Sequence, residues 1–261
     1  MLLAIVPLYY QLLQAYKPVA STPVSPTPTP VLPTSAPAVL GTQTHIKKIA
    51  LLGDSMIDTL NLDLCQKSFQ KYYPQTQINF LKYGYGATTI ESAYDRLTQS
   101  TRYLDQQNPS IISQSPDLII LESFAYNHLG NSQNSLNRYL QELEKIISTI
   151  KTSLPQTKIM MAATIAPNSV TFGNGLSNLH FTAMDKIEKT NTIKLYLDNF
   201  IAFSQKNQLS LADAFRPSLI NQDGFSELID SGSNIHPSDL GSEFFCDTLA
   251  KTAFDGHLIN W

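Results

Sequence analysis

One stretch constrains this chain's fold more than any other: Lys48-Ile-Ala-Leu-Leu-Gly-Asp-Ser-Met-Ile-Asp58. Apolar residues run unbroken into Gly53-Asp54-Ser55, and a helix-like pattern follows. A short apolar run closed by a glycine turn reads as a strand buried on both faces of a parallel sheet. A serine just past that turn projects from the carboxyl edge of the sheet, where open α/β folds bind their ligands. On the tripeptide alone, Ser55 serves equally well as an ordinary cap for the next helix. The remainder of the chain decides between these two roles.

The chain has 261 residues and a formal net charge of −3, with no basic stripe, so nucleic acid is not an expected partner. Residues 1–16 are uncharged and mostly apolar. They are short for a membrane span, which needs about 17–25 residues, and they lack the basic n-region of a signal peptide. A short anchor, an atypical signal and a truncated start stay open. Residues 17–44 repeat Thr-Pro, Ser-Pro and Ala-Pro units, a composition that buries no core and forms an extended spacer. An apolar head, a Pro/Thr/Ser stalk and a domain at 45–261 imply an extracytoplasmic protein, membrane-anchored or secreted. Cys65 and Cys246 have no metal-ligand spacing; the expectation is two buried free thiols, with a bridge not inferable from spacing.

Beyond the first strand, the pattern predicts a helix over 58–73, ended by Pro74, and a strand over 77–81. A helix is expected over 90–104, carrying Arg96 and Arg102, and Leu118-Ile-Ile-Leu121 reads as the third buried strand. Leu136, Leu140, Leu143, Ile147 and Ile150 form one apolar stripe and predict a helix over 135–154. A strand at 158–165 follows, then an irregular insert over 169–190 with a short helix near 183–189. A helix at 193–206, a strand at 209–212 and a final helix at 238–254 complete the order. Alternating strands and helices imply a parallel sheet with right-handed crossovers.

Three chemistry-bearing residues each sit just past a predicted strand: Ser55, Gly86 and Asn127. In a parallel sheet they emerge on one edge. His236, in the loop before the last helix, can fold back over that edge. Acyl transfer needs a hydroxyl nucleophile, a base for its proton and donors for the developing oxyanion. Ser55 can attack and His236 can accept the proton. The backbone N–H groups of Ser55 and Gly86, with the Asn127 amide, can hold the oxyanion. Gly84 competes with Gly86 for that part.

These residues resemble the SGNH, or GDSL-type, hydrolases over about residues 46–254. The resemblance rests on Gly53-Asp54-Ser55, Gly86, Asn127 and Ile235-His236-Pro237. It implies a three-layer α/β/α, flavodoxin-like fold with a parallel five-stranded sheet, Ser55 as nucleophile, His236 as base and Ser55, Gly86 and Asn127 as the oxyanion hole. A Gly-x-Ser-x-Gly elbow is absent because Ile57 stands at the second glycine position. The chain departs from the family at three places. Met56 replaces Leu; Ala125-Tyr126-Asn127-His128 replaces Gly-x-Asn-Asp; and Ser233-Asn234-Ile235-His236 replaces Asp-x-x-His. The last change removes the carboxylate that orients the base, a loss worth about 10⁴-fold in a triad when the wrong tautomer results. Asp230 can swing in as a third member, or a backbone carbonyl can hold the ring.

Asp54 is expected to bond backbone within its turn. Glu122 is expected either to line the pocket or to end a strand in solvent. Tyr83, Tyr85, Phe124 and Tyr126 are candidates for an aromatic wall around an acyl or sugar group, against ordinary loop packing. His45, His128, His180 and His257 are expected in surface or packing roles. The implied activity is carboxylic ester hydrolysis on an acylated glycan or lipid, by a monomer, with no metal or cofactor. Acyl transfer between sugars is a further option. The alternative is a stalked glycan-binding module on a decayed scaffold.

Overall fold

The structure, a computed structural model, describes residues 46–177 and 180–259. The apolar head, the Pro-rich stalk and His45 lie outside the described residues. In chain order the elements are β1 (Ile46–Gly53), α1 (Ser55–Asp58), α2 (Leu62–Tyr72), β2 (Gln77–Gly84), α3 (Ala93–Thr98), β3 (Thr101–Tyr103) and β4 (Gln106–Asn108). There follow α4 (Ile111–Gln114), β5 (Leu118–Glu122), α5 (Gln133–Ser153), β6 (Lys158–Ala163) and α6 (Ala183–Lys206). The chain then forms β7 (Ser210–Asp213), β8 (Leu219–Ile220), β9 (Asp223–Gly224) and α7 (Asp239–Asp255).

Five strands form one parallel sheet in the order β2-β1-β5-β6-β7. The sheet is central because its strands are apolar on both faces: every residue of β5 is buried. Side chains alternate between the two faces. Ala50, Leu52, Ile119, Leu121 and Met161 point to one side and pack on α3, α5 and α6. Ile49, Leu51, Leu118, Ile120 and Met160 point to the other and pack with residues of α1, α2 and α7. The result is the expected three-layer α/β/α arrangement with flavodoxin-like strand order. That order reverses between β1 and β5, and the crevice above such a reversal is where open α/β sheets bind ligands.

Three expectations are corrected. Residues 90–104 are not one helix: a 3₁₀ turn at Ile90–Ser92 leads into α3, and the chain then turns through the β3–β4 hairpin. The two segments expected at 183–189 and 193–206 are one helix, α6, opened by a capping box between Thr182 and Asp185. Cys65 on α2 and Cys246 on α7 are not free thiols but a disulfide spanning 181 positions, both sulfurs being fully buried. It sits where α2 and α7 pack, and Asn61, the N-cap of α2, adds a bond of 3.1 Å to Asp239 at the start of α7. Among the described residues, no helix is long and apolar enough to cross a membrane.

Candidate active site

Ser55 opens α1 directly after the β1 turn. Asp54 caps that helix, its Oδ1 accepting the Met56 N–H at 2.8 Å. Its other carboxylate oxygen accepts the Asn127 side-chain amide at 3.0 Å, and the same amide nitrogen lies 3.4 Å from Ser55 Oγ. Asn127, in the loop after β5, is thus brought onto the nucleophile candidate. Asp54 is structural, as expected, because both oxygens are engaged in holding the turn. Among the described residues the Ser55 N–H has no acceptor, which leaves it available to a ligand. A glycine is required at 53, since a Cβ there would collide with the side chains of Ile57 and Glu122.

Glu122 neither lines a pocket nor meets solvent. It is fully buried behind the turn, its Oε1 lying 2.6 Å from the Ser123 hydroxyl oxygen and its Oε2 accepting the Phe124 N–H at 2.9 Å and the Asp54 N–H at 3.4 Å. Burial first, and then the charge of Asp54, pushes its carboxyl up to about 8. Burial also raises Asp54, although the bonds from Met56 and Asn127 and the charge of Arg96 favour its ionised form. Asp54 faces the Met56 N–H, the Asn127 amide and Arg96 and so carries the charge, whereas the proton of the pair belongs on Glu122 Oε1, where Ser123 Oγ can accept it.

The counter-charge is Arg96, a side chain only 1 % exposed. Its Nη1 donates to Gly53 O at 2.6 Å and Tyr83 O at 2.7 Å, clamping the ends of β1 and β2 together. Nη2 reaches Ser92 Oγ at 2.9 Å, and the guanidinium lies over the rings of Tyr85 and Phe124. Burial lowers its pKa to about 10, which keeps it charged at neutral pH. The sequence carried a signal for this: Ala93, Arg96 and Leu97 share one face of α3, and all are buried.

Gly86 lies past β2 as expected, but its N–H is occupied. It donates to the Tyr103 hydroxyl at 2.8 Å, and that hydroxyl donates to Asp58 Oδ2 at 2.6 Å. Tyr103 arrives on the β3–β4 hairpin and stacks on Tyr85 with ring centroids 4.2 Å apart. Tyr83, Tyr85 and Phe124 are buried, so these rings are core and not an exposed wall. Tyr126 is half-buried, its hydroxyl donating to Ile165 O at 3.2 Å.

His236 sits in a loop closed on itself before α7. Asp230 N–H donates to His236 O at 2.9 Å, and Asn234 N–H to Asp230 O at 3.1 Å. The insert after β6 braces this loop: Gly173 N–H donates to Asn234 O, and Gly175 lies so close to Gly232 that a Cβ would overlap its carbonyl. The Asp230 carboxylate makes no direct hydrogen bond to the imidazole. Its Oδ1 accepts the Ser233 hydroxyl at 2.8 Å, and Ser233 Oγ lies 3.1 Å from His236 Nδ1. Burial would raise the Asp230 carboxyl, but the Ser233 N–H and O–H outweigh it and hold it below the usual carboxylate range.

The structure therefore assembles two halves. Ser55, Asn127 and Asp54 form one; His236, Ser233 and Asp230 form the other. No hydrogen bond joins Ser55 to His236 among the described residues. The halves are held by neighbouring supports, since α2 follows Ser55, α7 follows His236, and Cys65–Cys246 links those helices. His128 accepts the Gly130 N–H at 3.1 Å and packs against the Tyr196 ring, a packing role as expected. Among the described residues, no group of three or more His, Cys, Asp or Glu is placed to hold a metal ion.

No family model matches this sequence, and no curated protein matches it. Solved structures do match. A lipase/acylhydrolase from Enterococcus faecalis aligns with a TM-score of 0.57 at 15 % identity, over 80 % of this chain and 96 % of its own. A catalytic mutant of the acetylxylan esterase Axe2 from Geobacillus stearothermophilus aligns at 0.54 and 14 %, over 80 % and 94 %. A putative lipolytic protein of the G-D-S-L family from Desulfitobacterium hafniense aligns at 0.51 and 13 %, over 79 % and 99 %. The fold is that of the SGNH/GDSL hydrolases.

Proposed function

We propose that this chain is a serine ester hydrolase that cleaves carboxylic esters, acetyl or other acyl groups on a glycan or lipid, through a Ser–His acyl-enzyme. The observation that carries the reading is the placement of Ser55 at the sheet's reversal point with the Asn127 amide on its Oγ. In the reaction, Ser55 Oγ attacks the ester carbonyl carbon while His236 Nε2 takes the hydroxyl proton. The oxyanion receives the Ser55 N–H and the Asn127 Nδ2–H. Each such donor contributes about 10²–10³ in rate. His236 returns the proton to the leaving alkoxide, and the same groups then drive water onto the acyl-enzyme. Contacts between a base and its nucleophile tighten when substrate binds, which accommodates the missing Ser55–His236 bond.

A Cys65–Cys246 bridge supports a place outside the cytoplasm, where disulfides persist. Together with residues 17–44 it favours a secreted or anchored monomer acting on surface glycan or lipid esters. A second reading, a glycan-binding module on a decayed scaffold, draws on the Tyr103 hydroxyl occupying the Gly86 N–H. Hydrolysis of p-nitrophenyl acetate separates the two. Turnover by the wild type that is abolished in Ser55→Ala supports the esterase; no turnover across acetyl, butyryl and long-chain esters, with binding to acetylated glycan, supports the module.

A further inference from the structure

We propose that Ser233 is the positioning residue of this site: it takes the Nδ1–H of His236 on its hydroxyl oxygen and is itself oriented by Asp230. The proposal rests on the esterase reading for its catalytic consequence, while the placement of the proton stands by itself.

A serine hydroxyl has one hydrogen to give. Ser233 Oγ lies 2.8 Å from Asp230 Oδ1, and Asp230 also accepts the Ser233 N–H on Oδ2 at 2.9 Å. An ionised carboxylate only accepts, so the hydroxyl hydrogen points at Asp230. Ser233 Oγ has nothing left to donate toward the ring. The imidazole Nδ1, 3.1 Å away, must therefore be the donor in that pair. The backbone N–H groups of Ile235 at 3.2 Å and His236 at 3.3 Å also approach Ser233 Oγ, as longer contacts that share its two lone pairs with the ring.

With its hydrogen on Nδ1, the neutral ring presents a lone pair at Nε2, the form a general base needs. When Nε2 takes the Ser55 proton, the imidazolium is stabilised by Asp230 through a single intervening hydroxyl. Replacement of the family's carboxylate by Ser233 is thus not a loss of the third member. The acid is displaced by three positions and acts through the serine. The loop geometry suits this, because the bonds from Asp230 N–H to His236 O and from Asn234 N–H to Asp230 O hold the three side chains on one side of a closed turn.

The test uses the full chain with ¹⁵N-labelled histidine, the His236 signal being assigned by its loss in His236→Gln. At a pH where the ring is neutral, wild-type His236 should show a protonated Nδ1 and a bare Nε2. Asp230→Ala frees the Ser233 hydroxyl to donate to Nδ1, so the hydrogen should move to Nε2. Ser233→Ala removes the acceptor and should shift it the same way, while Ser233→Thr should restore the wild-type signal. In turnover of p-nitrophenyl acetate, kcat should fall by at least about 10-fold in the first two variants, toward the 10⁴-fold seen when a triad holds the wrong tautomer. KM should stay near its wild-type value. A wild-type His236 with its hydrogen on Nε2, or an Asp230→Ala ring unchanged from wild type, overturns the proposal. Absence of wild-type turnover with Nδ1 protonated overturns the esterase reading alone.

Discussion

Removing the Cys65–Cys246 bridge by a paired Cys65→Ala/Cys246→Ala substitution should lower stability by about 3–5 kcal/mol. The upper figure follows from the separation of 181 positions. Closing a loop of that length removes about 18 cal/mol/K from the unfolded chain, or about 5 kcal/mol at 25 °C. The lower figure allows for residual structure in the unfolded state, which shrinks the entropic gain. The effect is large because the total stability of a domain is about 5–15 kcal/mol. Urea unfolding followed by circular dichroism reads it: with a slope of about 2–3 kcal/mol/M, the midpoint should drop by about 1–2.5 M. Both sulfurs are joined in the bridge, so the protein unfolded in denaturant without reductant should show no titratable thiol, and two after reduction. A midpoint unchanged within experimental error, or two thiols titrating in the denatured protein without reductant, would refute the reasoning. The variant should also slow ester turnover, because the bridge holds the helix after Ser55 to the helix after His236.

Arg96→Met removes the donor shared by the carbonyls of Gly53 and Tyr83; Gly53 O keeps the Tyr85 N–H at 3.2 Å, so the loss should be about 1–3 kcal/mol, readable as a lower melting temperature. Tyr103→Phe releases the Gly86 N–H for the oxyanion, so kcat/KM should rise, by up to about 10²-fold if that donor is fully recovered; a fall would show that the hydroxyl itself is needed. Glu122 is held near 8 in the folded chain against an ordinary 4.5, so the folded state keeps a proton that the unfolded state has lost. Its contribution to stability is full below about 4.5 and declines as pH rises to about 8, by up to about 1.4 kcal/mol per pH unit. Glu122→Gln, which stays neutral throughout, should flatten that decline in pH-dependent unfolding; an unchanged profile contradicts the assignment of the proton.

Much of the frame was legible because burial on both faces of a sheet leaves unbroken apolar runs, as in Leu51–Leu52 and Leu118–Leu121, and because α5 carries a regular stripe. The β3–β4 hairpin was not legible. Its three-residue strands are polar, and its turn puts Leu104 and Asp105 at φ of 45° and 61° without the glycine that usually marks such a turn. Missing the hairpin hid Tyr103, and with it the occupant of the Gly86 N–H. The helix α6 was divided by its polar run at Lys189–Thr192, where Thr190 and Thr192 turn out to be buried and bond back to the preceding turn. A bridge across 181 positions leaves no local trace. Ser233 read as a missing acid because sequence spacing counts only direct contacts, whereas a hydroxyl can carry one further.

The central claim is that Ser55 is a nucleophile activated by His236. Intact-mass analysis after exposure to a fluorophosphonate tests it most directly. One adduct per chain, mapped to Ser55, absent in Ser55→Ala and formed at least about 10²-fold more slowly in His236→Ala, is the expected result. Unlabelled wild-type protein, or an adduct on another residue, contradicts it.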